Sequence, residues 1–183
     1  MGQAIGFIEL SSIAKGIEAA DAMMKMAEVE LLHTQAIPRG KFTILIGGAQ
    51  AEVEQSLQAG VDCASQWLMD HFIIQNVHEQ VLPALRGRQK VDDLEAVGVI
   101  ETKDATAAVF AADAAVKKAQ VTLIEVFPGK GAGGKGYVTL TGEVGAVRSA
   151  IAAGIESIKK ESALVSWVVI PYAHKSLLKV LSQ

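Results

Sequence analysis

A single cysteine, Cys63, stands in a chain of 183 residues, which excludes an intrachain disulfide and any metal site built from cysteines alone. No basic excess is present either. The net charge of −3 and the pI near 5.8 argue against general nucleic-acid binding, which wants a basic face. The one basic cluster, Arg86-Gly87-Arg88-Gln89-Lys90, runs at once into Asp92, Asp93 and Glu95 and reads as a solvated linker. Aromatic residues are scarce, at 5%, although half the chain is hydrophobic and the mean hydropathy is +0.31. No apolar run reaches the ~18 residues of a membrane helix; the longest candidate, Ala105 to Val116, is interrupted by Asp113. The opening Met1-Gly2-Gln3-Ala4 lacks the basic and long apolar regions of a signal peptide, and the Ser or Thr of a myristoylation motif. A cytosolic protein is expected, with no membrane or nucleic-acid partner, whose apolar excess covers contacts between subunits.

What the chain does contain, it contains twice. Ala4-Ile5-Gly6-Phe7-Ile8-Glu9 returns 92 positions later as Ala96-Val97-Gly98-Val99-Ile100-Glu101. Asp21-Ala22-Met23-Met24-Lys25-Met26-Ala27 returns as Asp113-Ala114-Ala115-Val116-Lys117-Lys118-Ala119. After a two-residue insertion Gly40-Lys41 aligns with Gly134-Lys135, and after a further two-residue shift Ile74, His78, Leu82 and Leu85 align with Ile170, His174, Leu178 and Leu181. The total is 22 identities in 65 aligned positions, against roughly one in fifteen to twenty for unrelated sequences of ordinary composition. The chain is a tandem duplication, with modules expected at 1–90 and 91–183.

Each module reads β-α-β-β-α-β followed by a short helix. In the first, Ala4–Glu9 is a strand, Ser11 and Ser12 offer capping hydroxyls, and Ile13–Met26 is a helix with Ile13, Ile17, Ala20 and Met24 at helical spacing. Val29–Thr34 and Phe42–Ile46 are strands, the latter expected to stop at Gly47-Gly48. Gln50–Leu68 is a helix with Val53, Leu57, Val61 and Ala64 on one face, Phe72–Ile74 a strand, and His78–Leu85 a short helix. The second module predicts strands at Glu95–Glu101, Val121–Phe127, Tyr137–Thr141 and Ser166–Ile170, helices at Ala105–Lys118 and Val144–Lys160, and a terminal helix at His174–Leu181. This order is the ferredoxin-like split βαβ, an α+β fold with a four-stranded antiparallel sheet and helices on one face. The other face and the sheet edges then need cover from neighbouring modules.

Several apparent catalytic signals fail on context. Gly129 to Gly136 fits G-x-G-x-x-G, and fits a Walker loop up to its last position, where Gly136 replaces the magnesium-binding Ser or Thr. A strand rather than a helix follows, so no helix N-terminus is available for phosphate. His78 and His174 occupy equivalent positions at the start of the terminal helices, which points to a shared structural role, while His33 and His71 have no partner at metal-ligand spacing. Ser11 and Ser12 near Glu9 lack the His and Asp of a triad, and Cys63 reads as a buried, inert thiol. No catalytic residue, metal site or cofactor is expected.

The repeated pattern Ala-Ile/Val-Gly-x-Ile-Glu, Asp-Ala-x-x-Lys-x-Ala, Val-x-Leu and Gly-Lys before a strand resembles the bacterial microcompartment (BMC) shell domain. It spans nearly the whole chain, twice and in unpermuted order, as in the tandem-domain shell proteins. The opening Gln3-Ala4-Ile5-Gly6 and the block Ser12-Ile13-Ala14-Lys15-Gly16 are similar to the propanediol-utilisation subgroup, whose pore carries an iron–sulfur cluster. The resemblance implies a non-enzymatic shell component in the bacterial cytoplasm: a homotrimer forming a pseudohexameric tile, packed edge to edge with other microcompartment shell proteins. It implies a central pore lined by the loops at each Gly-Lys, here Ile37, Pro38, Arg39 and Gly40, and Lys130, Gly131, Ala132 and Gly133. It also implies tile-edge contacts at Lys25 and Lys117, and around Asn76, His78, Tyr172 and His174.

Two departures from the family pattern change the expectation. Pro38 stands where the cluster-binding subgroup has its pore cysteine, and proline offers no thiolate for a cluster on the axis. The Arg of the family's Pro-Arg-Pro-His segment is missing from both Gln75-Asn76-Val77-His78 and Pro171-Tyr172-Ala173-His174. A ring of Arg39 with Lys130 on the alternate loops would favour small polar or anionic metabolites. Arg39 turned outward onto a carboxylate would instead leave Ile37 and Pro38 at the opening. Two other functions stay open: an electron-transfer shell protein with a cluster or metal at the pore, and a ferredoxin-like regulator binding a small effector.

Overall fold

A computed structural model describes residues 2–128, 135–160 and 162–181. The chain forms two compact units, Met1–Val77 and His78–Gln183. Residues 78–90, which the duplication assigns to the end of the first repeat, lie in the second unit.

The first unit contains β1 (Gln3–Leu10), α1 (Ile13–Met26), β2 (Glu30–Ile37), β3 (Lys41–Ala49), α2 (Gln50–Ala64) and β4 (Leu68–Ile74). Its antiparallel sheet has the order β2-β3-β1-β4. The helix α1 leads from β1 not to a neighbour but to the far edge, β2, and β3 then fills the gap, which is the split βαβ connection. The second unit repeats the plan after a short helix, α3 (Val81–Arg86). It contains β5 (Ala96–Thr102), α4 (Ala105–Lys118), β6 (Thr122–Phe127), β7 (Gly136–Gly142), α5 (Val144–Ser157) and β8 (Leu164–Ile170), in the sheet order β6-β7-β5-β8. A turn of 3-10 helix, Lys175–Leu177, then leads into α6, Leu178–Leu181. Among the described residues no helix is long and apolar enough to cross a membrane.

The helices start where side chains satisfy their first amides. Ser12 Oγ accepts from Lys15 N at 3.4 Å, and Asp104 Oδ1 accepts from Ala107 N at 2.8 Å. At α5, Glu143 Oε2 accepts from Gly145 N at 2.7 Å and Ala146 N at 3.0 Å. These bonds hold the Glu143 carboxyl below its ordinary pKa. The cap therefore contributes fully above the ordinary glutamate value and is lost as pH falls through the lowered one.

Three expectations are corrected by tertiary contacts. β3 does not stop at Gly47-Gly48 but runs through both, because Gly47 and Gly48 pair with Ile5 and Ala4 on the central strand. The stripe Ile13, Ile17 and Met24 of α1 is exposed; the helix packs instead through Gly16, Ala19 and Met23, with Gly16 against Phe42 of β3 and Met23 against Gly60 of α2. Helix α2 ends at Ala64, four residues short of the predicted Leu68, and Leu68 opens β4.

The core of the first unit lies between sheet and helices, with Ile8, Leu10, Ile44, Ile46, Met23 and Val53 in one cluster. Cys63 packs against this cluster only half-buried, not fully buried as expected. On the opposite face Phe7 stacks on Phe72 with centroids 4.9 Å apart. In the second unit that opposite face forms a separate cluster of Leu94, Val97, Ile124 and Ala173, closed over by Leu177, Leu178 and Leu181 of the C-terminal segment.

One polar atom in this packing has no partner: Ser56 Oγ, on α2, is fully buried without a hydrogen bond. Its equivalent in the second repeat is Ala150, also fully buried. Ser56→Ala is expected to raise stability by about 1 kcal/mol, since it removes an unsatisfied hydroxyl and improves helix propensity. Urea denaturation checks this, and a loss of stability would show that the hydroxyl has a partner in solution.

Candidate functional site

The first Gly-Lys loop is a tight turn. Ile37, the last residue of β2, pairs with Lys41, the first of β3, across a three-residue turn, Pro38–Gly40. Proline pre-sets its own φ. The chain then reverses through two successive left-handed residues, Arg39 at φ 70 and Gly40 at φ 74. Glycine takes this conformation freely; at Arg39 it costs about 1 kcal/mol. The turn therefore holds Pro38, Arg39 and Gly40 exposed at its tip. Among the described residues no carboxylate pairs with Arg39. The outward ion pair left open for Arg39 is made instead by Lys41, whose Nζ lies 2.6 Å from Glu9 Oε1.

The second loop repeats the root of the first. Lys135 Nζ lies 3.0 Å from Glu101 Oε1, so the Glu of each Ile-Glu and the Lys of each Gly-Lys form the same cross-strand pair in both units. Glu9 and Glu101 carried no function in the sequence, and their signal was only their recurrence beside the recurring lysines. Lys130, Gly131, Ala132 and Gly133, expected at the opening, lie outside the described residues. Phe127 stacks on Tyr137 with centroids 5.0 Å apart. Tyr137 Oη donates to Glu125 Oε2 at 2.7 Å, and Arg88 Nε donates to the same oxygen at 2.9 Å. Burial, then the bond to Glu125, raises the Tyr137 pKa, and the same carboxylate raises that of Arg88. Gly136 has no room for a side chain, since a Cβ would stand 2.8 Å from Ala108 Cβ and 2.9 Å from Asp104 O. Its place is set by close packing under α4, not by phosphate binding.

The residues expected at the tile edge fall into equivalent pairs with unequal surroundings. Lys25 bonds Asp21, and Lys117 bonds Asp113, each at 2.6 Å. The first pair is open, with the Asp21 side chain 60% exposed; in the second, Asp113 is only 10% exposed. The difference is His78, whose backbone N–H donates to Asp113 Oδ1 at 2.8 Å. Both histidines cap their own turns, His78 Nδ1 accepting from Gln80 N at 3.3 Å and His174 Nδ1 from Ser176 N at 3.2 Å. Asn76 and Tyr172 both take the left-handed conformation, at φ 50 and 55, and Tyr172 is almost wholly exposed. The residues of the first Gly-Lys loop do not fit an iron–sulfur cluster: Pro38 has no ligating atom, and Cys63 lies on α2. Among the described residues no three His, Cys, Asp or Glu side chains are grouped to hold a metal.

Comparison with known proteins agrees with this duplicated architecture. The BMC domain model matches residues 4–77 and again 96–173. The chain is 44% identical to bacterial microcompartment shell protein PduT of Citrobacter freundii, over 97% of this chain and 96% of that one. Over 88 residues, 46% of this chain and 85% of the other, it is 39% identical to carboxysome shell protein CsoS1 of Prochlorococcus marinus. The crystal structure of a microcompartment protein from Desulfitobacterium hafniense DCB superposes with a TM-score of 0.91 at 44% identity, covering 98% of this chain and 99% of that one. With two BMC domains in tandem, the chain belongs to the BMC-domain family and is a shell component of a bacterial microcompartment.

Proposed function

We propose that three chains form a pseudohexameric tile of the shell, with a central pore for small polar or anionic metabolites. The repeats 1–90 and 91–183 then supply alternate corners, and the tile sits edge to edge with other shell proteins in the bacterial cytoplasm, without catalysis of its own. One observation carries the reading. The equivalent helices α1 and α4 differ in burial: Ile17 of α1 is 59% exposed where Val109 of α4 is fully buried, and Met24 is exposed where Val116 is buried. A surface that is covered in one repeat and bare in its copy takes the same cover from a second chain. Such a head-to-tail contact either closes into a ring or grows into a filament. Six modules in a ring require three chains.

In this tile the loop Ile37, Pro38, Arg39 and Gly40 lines the axis from three chains, alternating with Lys130, Gly131, Ala132 and Gly133. Lys41 and Lys135 bring no net charge to the opening, because each is paired with a glutamate. Arg39 and Lys130 are left to set its sign, and rings of like charge in a constriction favour counter-ions. Lys25, Lys117, Asn76, His78, Tyr172 and His174 are assigned to the tile edges. Arg39→Glu, whose three carboxylates offset the three Lys130 charges, is expected to abolish the preference for anions in conductance measurements on reconstituted tiles. An unchanged anion preference would refute the role of Arg39, and a solution mass other than three chains would refute the tile.

A further inference from the structure

In the second unit, the segment that begins at His78 closes over the edge strand β6. His78 N–H bonds Asp113, as described above. Gln80 clamps the strand with both ends of its amide: its Oε1 accepts from Leu123 N at 2.8 Å, and its Nε2 donates to Val121 O at 3.1 Å. Gln89 N donates to Ile124 O at 2.7 Å, which engages the bulge where the β6–β7 register shifts. Helix α3 packs on β6 with Ala84 wholly buried. Under this cover Leu123 is 1% exposed.

The receiving side of this contact recurs in the first unit without the cover. Asp21, Val29 and Leu31 are the copies of Asp113, Val121 and Leu123, and Leu31 is 41% exposed. The covering side recurs too, at the C-terminus. His174 makes the same turn as His78, with Leu177, Leu178 and Leu181 seated on their own sheet and Val180 61% exposed where α3 has buried Ala84. Leu31 itself is left bare.

We propose that residues His174 to Leu181 of one copy close over β2 of the next, with His174 N–H donating to Asp21 Oδ1. This names the contact within the trimer proposed above and rests on that reading. The contact between chains is also the weaker seam of the ring. Ser176 stands where Gln80 stands, and its hydroxyl is too short to bond both a strand amide and a strand carbonyl. A tile built this way comes apart at three seams, between chains, before any chain opens within itself.

The full chain carrying Ser176→Gln, Asp21→Ala or Lys25→Ala tests this. The readout is the chain concentration at which trimer and monomer are equal, measured by sedimentation in a fixed, mildly dissociating concentration of urea. Ser176→Gln restores two hydrogen bonds per seam and is expected to lower that concentration about tenfold or more. Asp21→Ala leaves the His174 N–H without its acceptor and is expected to raise it about tenfold or more, whereas Lys25→Ala, which removes only an exposed ion pair, is expected to shift it less than threefold. Wild-type values for both Ser176→Gln and Asp21→Ala overturn the seam, as does a Lys25→Ala shift equal to that of Asp21→Ala. If the wild type is a trimer in that series, the tile reading survives; a wild type that is monomeric at every concentration overturns both.

Discussion

Ile17→Asp is expected to leave the chain folded and to abolish the trimer. In a single chain the Ile17 side chain is 59% exposed, so an aspartate there remains in water. In the proposed tile the same position takes the environment of Val109, which is fully buried. Burying a carboxylate without a partner costs several kcal/mol even after relaxation. An estimate of ~3 kcal/mol per contact already weakens each more than a hundredfold. Val109→Asp introduces the same charge at the equivalent position, where it is buried inside the chain, and is expected to unfold the second unit instead. Sedimentation and circular dichroism separate the outcomes. An Ile17→Asp chain that assembles as strongly as wild type would show that the exposed stripe of α1 is not an interface.

The second large effect is an asymmetry between two glycines that the duplication made equivalent. Gly60 on α2 and Gly154 on α5 each sit where their helix approaches its neighbour. A Cβ at Gly60 would meet Met23, at 2.6 Å from Sδ and 2.7 Å from Cγ. A Cβ at Gly154 would meet Ile100 Cδ1 at 2.6 Å and the backbone oxygen of Ala111 at 2.9 Å. A methionine side chain is flexible and repacks; a helix carbonyl moves only with its helix. Replacing glycine by alanine within a helix also contributes ~1 kcal/mol of propensity. Gly60→Ala is therefore expected to fall within ~1 kcal/mol of wild type, the gain offsetting the strain. Gly154→Ala is expected to lose about 2–3 kcal/mol, because α4 and α5 must separate. Urea denaturation of the two variants provides the comparison. Equal losses would mean that backbone contact does not set the cost.

The parts of the site legible in the sequence are those written locally and twice. Gly40-Lys41 and Gly134-Lys135 mark the loops, and the first turn falls at Pro38–Gly40 because proline followed by two left-handed residues reverses a chain within three positions. The ion pairs at the loop roots were not legible. Glu9 and Lys41 are 32 positions apart and meet only because β1 and β3 are neighbours in the sheet. Helix α1 gives the opposite lesson. Its bounds, Ile13–Met26, follow from capping and composition, but its most regular apolar stripe does not face its own core. Periodicity reports that a face is apolar and does not say which surface covers it.

The sequence by itself determined the duplication, the order of elements in each repeat, and with them the four-stranded sheet and the family. Those properties rest on hydrophobic period, capping residues and turn chemistry, all of which act between near neighbours. Only the tertiary structure decided that residues 78–90 pack in the second unit, that Asp113 is covered while Asp21 is open, and that Leu31 is bare where Leu123 is buried. Two equivalent segments acquire different surroundings because burial depends on what lies across the contact, which neighbours in sequence do not specify.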